Sequence, residues 1–222
     1  MTETIVLSVG GSLIVPDEIN LNFLKNLKKI ILKNANKRFI IVCGGGHTAR
    51  KYQEAAKKLN VGKESLDWIG IKATWLNASI VKSLFPEAYG MIVTDPYEKI
   101  KANKRIIVAA GYRPGWSTDF DAVVLAKNNG VEKVINLTNM DYVYDKDPVK
   151  YKDAKPLKQL GWEEMIKRVG KKWIPGMNVP FDPVACKEAE KAKIKVIVMN
   201  GNKLKNLENY LKGKKFEGTI VG

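Results

Sequence analysis

Histidine occurs once in this chain of 222 residues, at position 47, and cysteine twice, at 43 and 186. Two cysteines without metal-ligand spacing make neither a disulfide framework nor a zinc site, and a lone histidine leaves little room for histidine-based catalysis. Arginine is also scarce. Only five of the 38 basic residues are Arg, and the lysines are spread along the chain rather than clustered. Base readout and stacking favour Arg with exposed aromatics, so the net charge of +15 reads as a solvated surface, and nucleic acid is not an expected partner. Small phosphorylated substrates are compatible with that charge. No apolar run approaches the roughly 20 residues of a membrane span, so no membrane partner is expected. No basic stretch or small-residue cleavage site precedes the first strand pattern, and a cytoplasmic location is the expectation.

What is present is ordinary globular composition: 45% apolar and 27% charged residues, enough to bury a core. One domain over residues 1–222 is expected, since no linker or internal repeat divides the chain. Short β-branched runs alternate with amphipathic stretches of helical length, the pattern of an α/β protein with parallel strands joined by crossover helices. Strands are expected at 4–9, 38–43, 91–94, 105–110, 133–138, 195–200 and 218–221. Helices are expected near 18–33, 47–58, 65–84, 118–128, 182–193 and 204–211. In the first of these Leu21, Leu24, Leu27 and Ile31 keep helical spacing. After Asn139, turn-rich segments around 142–147, Pro148 and Pro156 suggest a hairpin or lid.

Two of the strands end in glycine clusters that lead toward helices, Gly10-Gly11-Ser12 and Gly44-Gly45-Gly46. A strand-to-helix turn made of glycine exposes backbone N–H groups at a positive helix end, which suits phosphate. Two such turns at the C-terminal ends of neighbouring strands point to two phosphate-bearing ligands. The G-x-x-x-x-G-K-[ST] loop is absent, which excludes a Walker-type NTPase. The segment from Gly44 to Ala49 satisfies the G-x-G-x-x-A dinucleotide fingerprint. Its acidic partner, however, should end the next strand, and Asp67 falls among helical stretches.

The segments Ile5–Ser12, Val42–Tyr52, Asp67–Ala78, Pro114–Asp119, Asn136–Pro148 and Phe216–Ile220, in that order, resemble the amino acid kinase superfamily, and within it the archaeal-type UMP kinases. The resemblance runs nearly end to end. It is carried most specifically by Thr138-Asn139-Met140-Asp141 with Val143-Tyr144-Asp145-Lys146-Asp147-Pro148. It implies a three-layer αβα sandwich around a mostly parallel sheet, and transfer of the ATP γ-phosphoryl group to UMP with Mg²⁺. Such a transfer needs alignment and charge neutralisation rather than a covalent nucleophile. Assembly into dimers or hexamers is implied by the same resemblance. Open beside this reading are a nucleotide-binding member of the fold with feeble or no transfer activity, and a kinase for another small phosphate such as isopentenyl phosphate.

Arg50 follows the triple glycine by one helical turn, where its guanidinium can fork an acceptor phosphate. The resemblance assigns it, with Gly44, Gly45 and Gly46, to the UMP phosphate, and assigns Gly10, Gly11 and Ser12 to the donor phosphates. Asp67 matches the aspartate that binds the nucleoside sugar, though an acid early in a helix also has a purely local use. Thr74 and Asn77, one turn apart, are expected to face the same substrate groove. Thr118 matches an acceptor contact, or else caps its helix, and Asp119 matches the residue that organises the transfer. Thr138, Asn139, Tyr144 and Asp147 match the donor-nucleotide block, unless they only stabilise a hairpin through Asx turns. There Tyr142 replaces a glycine common in relatives. Trp116 reads equally as a hydrophobic lid or a base-stacking surface.

The resemblance breaks at two places. Most of the superfamily has a lysine two residues before the first glycine pair, where this chain has Ser8, so Ser8 stands at the catalytic cation's position. A second family lysine lacks a counterpart in Gly176–Pro180, the nearest being Lys171 and Lys172. No protein-held metal ligands are expected beyond the Mg²⁺ that accompanies ATP.

Overall fold

The structure, a computed structural model, describes residues 2–100, 103–170 and 179–222. Its main sheet has seven strands in the order β3-β2-β1-β4-β8-β9-β7. These are β1 (Glu3–Val9), β2 (Lys37–Cys43), β3 (Ile106–Ala109), β4 (Lys133–Thr138), β7 (Gln159–Leu160), β8 (Lys195–Asn200) and β9 (Thr219–Val221). All neighbouring pairs are parallel except β8 with β9. Strands β5 (Val143–Tyr144) and β6 (Pro156–Leu157) form a separate antiparallel ribbon, the hairpin expected after Asn139.

The strands are apolar on both faces because helices cover both. Leu7, Val9, Phe39, Ile41, Ile135 and Leu137 pack on one side, under α1 (Gly11–Ile14), α2 (Leu21–Lys33), α4 (Lys63–Ser83) and α8 (Leu204–Leu211). Their strand neighbours Val6, Ile40, Val42 and Val134 face α5 (Thr118–Asn128), α6 (Trp162–Val169) and α7 (Pro183–Lys191). Helix α3 (Gly46–Lys58) lies against α4. The parallel α/β build is as expected from the chain's alternation, and the three-layer arrangement is the one the family resemblance implies.

Several local expectations are corrected. Residues 91–94 do not form a strand: only Val93 bridges Ala109, and Met91 is 60% exposed. Between Gly90 and Asp95-Pro96 there is room for one pair of ladder bonds, Val93 N–H to the Val108 carbonyl and Ala110 N–H to Val93. Helix α2 begins at Leu21 rather than 18, because the Asn20 side chain accepts from Phe23 N–H and caps it. Leu21 then lies off the buried face, 60% exposed, and Phe23 takes its place in the core. Helix α6 and strand β7 were not foreseen. Yet α6 has a local signature: Met165 and Val169 are buried one turn apart, Glu163–Lys167 and Glu164–Arg168 pair at i,i+4, and Gly170 ends it at φ +86°.

Candidate active site

Strand order reverses on either side of β1, and the C-terminal ends of β1, β2, β3 and β4 open onto one cleft of about 500 Å³. The two glycine turns meet there. A Cβ added to Gly11 would lie 2.0 Å from the amide nitrogen of Gly46 and 2.5 Å from the Gly44 carbonyl carbon. A Cβ on Gly44 would stand 2.6 Å from Gly11 N, and Gly46 also needs φ +61°. Only glycine lets these two backbones touch. Gly10 N–H is spent on the Leu137 carbonyl, Gly44 N–H on Val9, and His47 N–H on Val15. Among the described residues, the N–H groups of Gly11, Ser12, Gly45 and Gly46 meet no protein acceptor. They open helices α1 and α3, where unpaired amides bind anions.

Asn77 stands behind the second turn and does not line the cleft. It is 3% exposed, and its Nδ2 donates to the Gly44 carbonyl at 2.8 Å and the Gly45 carbonyl at 3.1 Å. Its expected place in the substrate groove is thereby corrected: it holds the turn from behind. Thr74 does line the cleft, but its hydroxyl donates to the Ile71 carbonyl and accepts from Gly111 N–H at 2.8 Å. Both residues brace loops, which the spacing on α4 alone did not reveal.

Arg50 lies exposed on the first turns of α3 at the cleft, and among the described residues no carboxylate pairs with it. It is the one cation among the described residues that line the cleft. Gln53, one turn on, was missed by sequence reading; its amide donates to the Leu66 carbonyl and ties α3 to α4. Asp67 sits within α4, not at a strand end, so the dinucleotide reading fails on its own criterion. Its Oδ2 accepts from Gly115 N–H at 3.0 Å. The loop 111–117 is held at further points by Trp75 Nε1 on the Gly111 carbonyl and by Asp121 Oδ2, which accepts from Tyr112 N–H. Trp116, in this loop, lines the cleft.

At the junction of the two turns, Ser8 Oγ donates to Asp119 Oδ1 at 2.9 Å, and Asp182 N–H donates to Asp119 Oδ2 at 3.2 Å. Ser8 is 2% exposed yet borders the cleft. Burial pushes the Asp119 carboxyl up to about 7, and the neighbouring Asp182 adds to the rise, against the opposing bonds from Ser8 and the Asp182 backbone. Burial likewise raises Asp182, whose Oδ1 caps α7 by accepting from Val184 and Ala185 N–H. Asp121 is fully buried, its Oδ1 has no hydrogen-bond partner among the described residues, and burial pushes it up to about 8. Asp182 and Asp121 were not foreseen as part of this cluster. An apolar strand or helix face interrupted by an acid was the available signal.

Ser117, not Thr118, caps α5 by accepting from Phe120 N–H, so Thr118 is free for the cleft it borders. Thr138 and Asn139 line the cleft at the end of β4, and Asn136 reaches from the same strand to the Pro180 carbonyl. Tyr144 and Asp147 lie on the β5–β6 ribbon and its turn, outside the cleft's lining, where Asp147 Oδ1 accepts from Val149 N–H in the Asx turn weighed above. His47 places Nε2 3.3 Å from Asp17 Oδ1. Both cysteines are buried, and burial holds their thiols well above the ordinary range. Lys171, Lys172 and Gly176-Met177-Asn178 lie outside the described residues.

Magnesium can be tested against this donor set. Among the described residues no group of three or more His, Cys, Asp or Glu could hold a metal ion. A magnesium brought by a nucleotide keeps its waters and phosphates and needs only one or two carboxylates. Asp119 fits that need: it borders the cleft, and among the described residues only the Ser8 hydroxyl and the Asp182 N–H bond to it, with no cationic side chain.

Two turns with unpaired amides share one cleft, an arrangement suited to two phosphate groups side by side. The chain belongs to the amino acid kinase family, whose sequence profile matches residues 3–200. It is 40% identical to a uridylate kinase of Thermoplasma volcanium over 217 residues, covering 96% of this chain and 95% of the relative. It is 35% identical to a uridylate kinase of Pyrococcus abyssi, covering 98% of each. The crystal structure of uridylate kinase from Archaeoglobus fulgidus superposes with a TM-score of 0.84 at 32% identity, over 99% of this chain and all of that one. The UMP kinase of Bacillus anthracis, at 19% identity and a TM-score of 0.81, shares the fold over 99% of this chain and 96% of its own.

Proposed function

We propose that this protein transfers the γ-phosphoryl group of ATP to UMP, giving ADP and UDP. The observation that carries the reading is the backbone contact of Gly11 with Gly44 and Gly46, which brings two anion cradles into one cleft. A phosphate oxygen of UMP forms the new P–O bond as the bond to the β–γ bridging oxygen breaks, and that oxygen leaves on ADP. The full-length uridylate kinase relatives support this choice of substrates.

In this reading the free amides of Gly11 and Ser12 hold the donor phosphates, with Thr138 and Asn139 beside them, while Gly10, expected to share that role, spends its N–H on the Leu137 carbonyl and only shapes the turn. The free amides of Gly45 and Gly46 with Arg50 hold the acceptor phosphate, Gly44, its N–H spent on the Val9 carbonyl, shapes that turn, Thr118 contacts the acceptor, and Asp67 accepts from its ribose hydroxyls. Asp119, oriented by the Ser8 hydroxyl, lies where the two phosphates meet. Magnesium, when it arrives with ATP, supplies positive charge to the transferring oxygens. The β5–β6 ribbon bearing Tyr144 and Asp147 is assigned to the donor base, which places it beyond the cleft proper. No helix among the described residues is long and apolar enough to cross a membrane, and a cytoplasmic enzyme working as a homo-oligomer suits the assignment.

The test is ADP release measured in a coupled assay with UMP, CMP and isopentenyl phosphate in turn. Turnover with UMP at least about tenfold above the others in kcat/KM supports the proposal. ATP binding with no turnover, or preference for isopentenyl phosphate, overturns it.

A further inference from the structure

On the acceptor side, the groups that would meet a nucleoside monophosphate line one cleft. The free amides of Gly45 and Gly46 and the Arg50 guanidinium suit the phosphate. Asp67 is another, with one carboxylate oxygen bonded to Gly115 N–H and the other left to accept. The residue after Gly115 is Trp116, which lines the same cleft. Its indole is fixed from several sides. Phe120 meets it edge-on with ring centroids 4.2 Å apart, Tyr97 and Tyr112 do so at 5.7 and 5.9 Å, and the Arg113 guanidinium lies 4.3 Å from its centroid. The N–H groups of Tyr112 and Gly115, in the loop just before it, donate to the Asp121 and Asp67 carboxylates and pin that segment. These contacts pack the ring into the loop and favour the base-stacking reading of Trp116 over the lid.

We propose that Trp116 is the fixed aromatic wall that receives the nucleobase of the acceptor, so that this site selects monophosphates carrying a flat ring over those carrying none. The inference rests on reading the cleft as a nucleotide site. Its physical basis is that an aromatic side chain gains from ring–ring contact with any base, whereas a bare sugar phosphate offers it nothing. Arg113, over the indole, strengthens the anchor through its charge on the ring face.

Calorimetric titration of the full chain without ATP, using UMP, CMP and ribose 5-phosphate, tests it in the wild type, Trp116→Ala and Trp116→Phe. The wild type is expected to bind a base-bearing monophosphate about tenfold or more tighter than ribose 5-phosphate. Trp116→Ala should erase most of that difference while leaving ribose 5-phosphate within about twofold, and Trp116→Phe should keep most of it. The proposal is overturned if the wild type gains nothing from a base, if it binds none of the three, or if Trp116→Ala weakens ribose 5-phosphate as much as UMP. Failure of the UMP assignment reads differently: UDP formation is absent while CMP still shows the Trp116-dependent gain.

Discussion

The Ser8 hydroxyl donates to the Asp119 carboxylate across 2.9 Å and so ties the end of β1 to the start of α5. This bond joins the floor of the first glycine turn to the one carboxylate that lies between both turns, and it occupies the position at which most of the superfamily carries a lysine. Ser8 cannot supply that lysine's charge. It can hold Asp119 in one orientation, and its bond favours the ionised form. Asp119→Asn is expected to lower kcat about 100-fold or more with little change in the UMP KM, and Ser8→Ala about tenfold. Steady-state kinetics that show an unchanged kcat in Asp119→Asn would remove it from the transfer.

The same carboxylate sets a pH dependence. With its pKa near 7 in the free protein, Asp119 is half protonated at neutrality. If the ionised form is the working one, kcat/KM rises with pH below about 7 and levels off above it. A kcat/KM profile from pH 5.5 to 9 should show this acid limb in the wild type and lose it in Asp119→Asn.

Stability should move the other way. Asp121 and Asp119 carry folded-state pKa values of about 8 and 7, above the ordinary 3.8. The folded protein therefore holds protons that the unfolded chain has released. The stability these groups contribute is complete below about pH 4 and is lost as pH rises through 7 to 8. Thermal melts of the ligand-free protein should fall by about 5 °C or more between pH 5 and pH 8, and Asp121→Asn should flatten that fall while still accepting from Tyr112 N–H.

Arg50→Ala is expected to raise the KM for UMP about 10- to 100-fold with kcat nearly unchanged, because a forked charge-assisted contact to phosphate is lost. Arg50→Lys should recover only part of this, since an ammonium cannot fork. An equal KM in all three proteins would place the acceptor phosphate elsewhere.

Gly11→Ala should abolish folding or activity, because its Cβ would stand 2.0 Å from Gly46 N and no flexible side chain is there to yield. Gly62→Ala, at the N-cap of α4 with nothing within 4 Å, should cost no more than about 1 kcal/mol. Asn77→Ala leaves the Gly44 and Gly45 carbonyls without their donor and should cost about 2–3 kcal/mol, with a raised UMP KM as the turn loosens. Denaturant melts beside kinetics separate the three.

Much of the fold was legible. The strands at 133–138 and 195–200 and the helix at 204–211 match the residue patterns that announced them, since apolar periodicity and glycine punctuation act locally. Residues 91–94 misled because β-branched residues signal a strand without saying whether a partner is long enough to pair. Helix α6 was missed although its i,i+4 pairs were visible, because the surrounding turn residues dominated the reading. At the site, the glycine turns and Arg50 stood out by residue type and spacing, whereas Asp67 and Asp119 were marked by the family resemblance. Asn77 was misplaced because helical spacing shows which residues share a face but not whether that face meets a ligand or the back of a loop.

By itself, then, the order of residues determined the layered α/β architecture and two glycine turns able to bind anions, since both follow from backbone sterics and alternation within a few residues. Tertiary structure alone decided that those turns touch and that Thr74 and Asn77 serve as braces. It also decided that Ser8, Asp119, Asp121 and Asp182 form one buried cluster with raised pKa values. Such properties depend on contacts between distant segments, such as Ser8 with Asp119 111 residues on, and on a desolvation that exists only once the layers have closed.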